Sequence, residues 1–94
     1  MNVKEAISQA KQYISDVFRD ENISNLGLEE VEFEEGDQTW KVTLGFSRPW
    51  NAVRNAITAL TGEPAARRTY KVVRIRDSDH EVVSVKSRER ELET

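Results

Sequence analysis

The stretch EEVEFEEGDQTWKVTLGF, residues 29–46, alternates apolar and polar side chains on both sides of a glycine-containing turn. In its first half Val31 and Phe33 point one way, and Glu30, Glu32 and Glu34 point the other. A period of two is the mark of a half-buried strand. EEGDQ supplies turn chemistry through Gly36 and Asp37. Trp40, Val42, Leu44 and Phe46 then share one face of a second strand, with Lys41, Thr43 and Gly45 on the other. Only Leu28 falls out of step with the first strand. A Glu on one strand facing Lys41 on the next contributes a few tenths to about 1 kcal/mol.

Upstream, NVKEAISQAKQYISDVFRDE reads as an amphipathic helix. Val3, Ile7, Ala10, Ile14 and Val17 recur at helical steps, and Ala6, Tyr13 and Phe18 widen the stripe. Asn2 suits the N-cap, with Glu5 where a capping-box partner belongs. ENISNLG is expected to end the helix as a turn.

Downstream, residues 48–68 form a connector holding both prolines, Pro49 and Pro64. Val53, Ile57 and Leu60 are helically spaced within it. A structureless loop of about 20 residues is unusual in a compact domain, which favours a short helix over 51–61. A second hairpin follows in RTYKVVRIRDSDHEVVSVKSR. Val73, Ile75, Val83 and Val85 are expected on its inner face, Tyr70, Val72 and Val82 on its outer face, and DSDH in its turn. The expected architecture is α+β: an N-terminal helix packed on a four-stranded antiparallel sheet, an α-β-β-β-β meander, with a short helix between strands two and three. Residues 1–87 form the domain and 88–94 a polar tail.

A chain of 94 residues points to one domain. It has no cysteine, which fits a reducing, cytoplasmic setting. No apolar run reaches the ~18 residues of a membrane span, and no secretory leader is read at the N-terminus. The net charge of -3 is unevenly laid out: residues 1–47 balance to -6, 48–76 to +6 and 77–94 to -3. Such asymmetry marks either an anionic partner or acidic and basic strands placed side by side. The second reading is preferred, because charged side chains ordinarily line a solvated surface.

Most chemistry lacks its residues. His80 is the one histidine and falls in a turn, without convergent partners for nucleophilic or acid–base work. Asp77 and Asp79 resemble the start of a calcium loop, but the glycine and distant glutamate of that loop are missing. The acids of EEVEFEE lie along a solvated strand face, without the burial that a glycosidase-type pair needs. TGEPAARR is no phosphate-binding fingerprint. No catalytic residue, metal or cofactor is expected.

The order of helix and strands resembles the cystatin-like α+β architecture. YKVVRIRDSDHEVVSVK, residues 70–86, resembles the hairpin that closes PepSY-type domains, with His80 where that family usually has glycine. Similar hairpins occur in small bacterial domains. The resemblance implies inhibition, regulation or partner binding rather than catalysis, and a left-handed backbone at His80. Cystatin-type inhibitors rely on a Q-x-V-x-G hairpin tip, and the early turn here reads EEGDQTW, so protease inhibition is not implied.

The remaining feature is GFSRPWNAVRNA, residues 45–56, where Pro49 stops the strand and Trp50 stands between Arg48 and Arg54. Trp and Arg are enriched at interface hot spots. The leading expectation is a non-enzymatic interaction or regulatory domain that binds a protein partner through the connector, at Arg48, Trp50, Arg54, Arg67 and Arg68. The alternative is a nucleic-acid accessory protein using the basic stretch 48–76. Trp50 as a lid over the sheet edge beside Phe46 remains open against Trp50 as an anchor.

Overall fold

In the structure, a computed structural model, residues 1–48 and 69–88 are described. Helix α1 spans Val3–Val17 and is followed by a 3-10 turn at Arg19–Glu21. The strands are β1 (Ser24–Glu34), β2 (Thr39–Ser47), β3 (Thr69–Arg76) and β4 (Val82–Ser87). They form one antiparallel sheet in the order β1-β2-β3-β4, an α+β meander as the sequence suggests. The short helix expected over 51–61 and most of the tail, 89–94, lie outside the described residues.

The helix begins with a reciprocal cap. Asn2 Oδ1 accepts the Glu5 amide at 2.9 Å, and Glu5 Oε1 accepts the Asn2 amide at 2.9 Å. Two donors that a helix start would leave unpaired are thereby satisfied. At the other end the Phe18 amide bonds to the Ile14 carbonyl, and Asn22 turns the chain with a left-handed φ of 50°. Asn tolerates that region better than most side chains. The turn is thus shorter than ENISNLG: β1 already starts at Ser24.

The contact with the sheet runs through Ala6, Ala10 and Ile14, which are fully buried against Val42, Leu44, Phe46, Val73 and Ile75. Two alanines at a four-residue step let the helix axis approach the sheet closely. That rotates the buried stripe away from Ile7, which is only half-buried. Val17 is 54% exposed, a correction to its expected core place. Phe18 supplies the last apolar anchor instead, its ring centroid 5.4 Å from that of Phe46. Full burial of a Leu, Ile, Val or Phe side chain is worth about 1.5–3 kcal/mol, so this cluster carries the fold.

Both edge strands are bulged: β4 has one register shift and β1 two, between Ser24 and Gly27 and between Leu28 and Glu30. In β4, Ile75 pairs with Val82 and Arg74 with Ser84, leaving Val83 as the extra residue. Val82 and Val85 therefore pack on the core, while Val83 is 43% exposed. This reverses the expected placement of Val82 and Val83. In β1, Leu28 pairs with Leu44 and Glu30 with Thr43, so Glu29 is extra. The same one-residue shift explains why Leu28 falls out of step with Val31 and Phe33.

Candidate interaction surface

Of the five residues singled out in the sequence, only Arg48 is described; Trp50, Arg54, Arg67 and Arg68 lie outside the described residues. Arg48 follows the last residue of β2, where the chain departs towards the connector. The chain returns at Thr69, which pairs directly with Phe46. The Arg48 guanidinium lies 5.0 Å from the Phe18 ring centroid and 5.6 Å from that of Phe46, and it pairs with Glu21 at 3.1 Å. Its side chain is 16% exposed. Lys71 Nζ approaches the Phe18 ring from β3 at 6.0 Å. The last turn of α1 holds no basic residue of its own. Strand cations thus stand beside the C-cap residue, where the helix dipole is negative.

The other described cations of the basic stretch are engaged within the sheet. Arg74 reaches Asp37 at 2.6 Å and Glu34 at 3.4 Å, and Arg76 reaches Asp79 at 2.7 Å. Lys41 pairs with Glu32 across β1 and β2 at 3.5 Å. Acidic β1 and basic β3 flank β2, so much of the charge asymmetry along the chain is matched inside the fold. Exposed pairs of this kind stabilise little, about 0–1 kcal/mol each. Their relevance is that the cations are already partnered. Arg88, placed in the tail by sequence, stacks on Tyr70 at 4.6 Å. Sequence reading missed that contact, although the β3–β4 register brings the two chain ends together.

The DSDH turn uses its polar groups for structure. Asp77 accepts the Trp40 indole N–H at 2.9 Å and lies 3.6 Å from the Met1 ammonium group. The indole bond is the main cause that holds its carboxyl below the ordinary range. Asp79 accepts the Glu81 amide at 3.1 Å and the Arg76 guanidinium, and its carboxyl is likewise lowered, first by the amide. His80 donates its amide to the Arg76 carbonyl at 2.8 Å, and its carbonyl accepts the Gln9 side-chain amide. His80 has a φ of 61°, the left-handed conformation expected for it. The two aspartates thus turn to different partners, and among the described residues no three His, Asp or Glu side chains are grouped to hold a metal ion.

The chain matches no protein-family model, no curated protein and no solved structure. Among the described residues no helix is long and apolar enough to cross a membrane.

Proposed function

We propose that the chain is a non-enzymatic interaction or regulatory domain that engages a protein partner through the segment 48–68. The supporting observation is the state of the basic stretch. Arg48, Arg74 and Arg76 are each paired with an acid of the same chain, and Lys71 approaches an aromatic ring. A nucleic-acid site needs cations whose counterions the phosphates can displace, and these cations already have partners. The sequence adds an aromatic to this stretch, Trp50, with Arg54 four residues later. The resemblance of residues 70–86 to a PepSY-type hairpin points the same way. A cysteine-free composition fits a cytoplasmic setting.

The test replaces Trp50 by a photoreactive aromatic amino acid and cross-links in cells, alongside binding of a labelled single-stranded oligonucleotide across a salt series. The expected result is a defined protein adduct, lost in Arg54→Ala while the melting temperature holds. Salt-dependent oligonucleotide binding that weakens in Arg67→Ala/Arg68→Ala would replace this reading with the nucleic-acid one.

A further inference from the structure

Two adjacent rows of side chains run unbroken across all four strands. On the helix side, Val31, Val42, Val73 and Val85 stand opposite one another in register. On the other face the neighbouring row is Glu30, Thr43, Val72 and Lys86. The inner members of both rows are buried. The outer members are not: Val31 and Val85 are half-buried, while Glu30 and Lys86 are exposed. Neither Glu30 nor Lys86 has an ion-pair partner among the described residues. Among the described residues both rows therefore stop at the outer strands, β1 and β4.

We propose that a second copy of this chain continues them, its β1 pairing with β4 of the first. In an antiparallel meander β1 and β4 run in opposite directions, so a copy displaced sideways presents an antiparallel neighbour. The alignment that sets Val85 beside Val31 of the second copy also sets Lys86 beside Glu30 of that copy. One register thus satisfies both faces, the apolar one and the charged one. Like edges do not fit. Two β1 strands would bring Glu29, Glu30 and Glu32 against the same acids, and β4 offers Lys86 no acid between Val82 and Ser87. The charges that keep an edge from pairing at random here select the unlike edge. The bulges at Glu29 and Val83 confine the pairing to a short stretch, so the association is weak and reversible. It is also head-to-tail, and growth does not close at two copies.

Sedimentation of the full chain over a concentration series tests this. The average mass should rise with concentration at low salt and fall back at high salt. Glu30→Lys and Lys86→Glu should each weaken association roughly tenfold, by replacing an attractive cross-strand pair with a repulsive one. Both positions are exposed, so the melting temperature should hold. The double variant Glu30→Lys/Lys86→Glu, and an equimolar mixture of the two single variants, should each restore assembly. A wild-type chain that stays monomeric at millimolar concentration in low salt overturns the proposal. So does an oligomer that ignores both single substitutions, or one that neither the double variant nor the mixture brings back.

Discussion

The main-chain amide of Asp77 donates to the carbonyl of Gln38 at 3.0 Å, which ties the β3–β4 turn to the β1–β2 turn. The two turns are built alike. Four residues separate β1 from β2 and five separate β3 from β4, and each turn places its fourth residue in the left-handed region, Gln38 at φ 52° and His80 at φ 61°. Through Gln9 the helix joins the same assembly at the His80 carbonyl.

Because His80 holds a conformation that a Cβ disfavours, His80→Gly should preserve stability or raise it by up to about 1 kcal/mol, with relief of strain set against the greater freedom of glycine in the unfolded chain. His80→Val should lower it, since a β-branched side chain fits that region worst. Urea unfolding of the two variants beside wild type decides the matter; equal midpoints for all three would remove the turn strain from the account.

Asp77 sets an acid limit on the fold. Its carboxyl ordinarily titrates at 3.8, and the Trp40 indole N–H lowers that value in the folded chain. A group depressed in the folded state adds stability that is fully present above its unfolded value and is lost as pH falls through its folded value. Unfolding midpoints followed by circular dichroism should therefore drop as pH falls from 3.8 downward. Asp77→Asn should flatten part of that drop, the remainder belonging to Asp79, whose carboxyl is lowered as well. An acid slope unchanged in Asp77→Asn would exclude Asp77 as its source.

The bulge in β4 makes the two neighbouring valines unequal. Val82→Ala should cost clearly more than Val83→Ala, because Val82 packs on the core and Val83 is exposed. The Val83 change should stay within about 0.5 kcal/mol. If chemical denaturation ranks them the other way, the register is shifted by one residue.

Arg48 should behave as part of the scaffold. Its guanidinium lies over the Phe18 and Phe46 rings and its side chain is largely buried, so Arg48→Ala should lower stability by roughly 1–2 kcal/mol through lost packing and cation–π contact. Glu21→Gln, which keeps the packing and removes the charge, should cost less than about 1 kcal/mol. A melting temperature unaffected by Arg48→Ala would show that the stacking contributes nothing.

The helix and all four strands were legible from periodicity and capping, although the two central strands are buried on both faces, at Thr43 and Val72 as well as Val42 and Val73. The parity of Val82 and Val83 was not legible. A bulge adds one residue without a distinctive side chain, and a period-two pattern read through it lands on the wrong face. Ala6 reads as the flank of the apolar stripe and Ile7 as its centre because size suggests burial, whereas in the fold Ala6 is fully buried and Ile7 half-buried. At the candidate surface, the sequence marked Arg48 as prominent but could not show that Glu21, Phe18 and Phe46 surround it. Those partners come from three separate elements.

The pairing of Phe46 with Thr69 brings the exit and return of segment 49–68 to adjacent points on neighbouring strands. For a flexible insert, doubling the length between such points costs only about 0.6 kcal/mol of closure entropy. The ends of β2 and β3 accordingly stand where chains of different length can join them at similar cost.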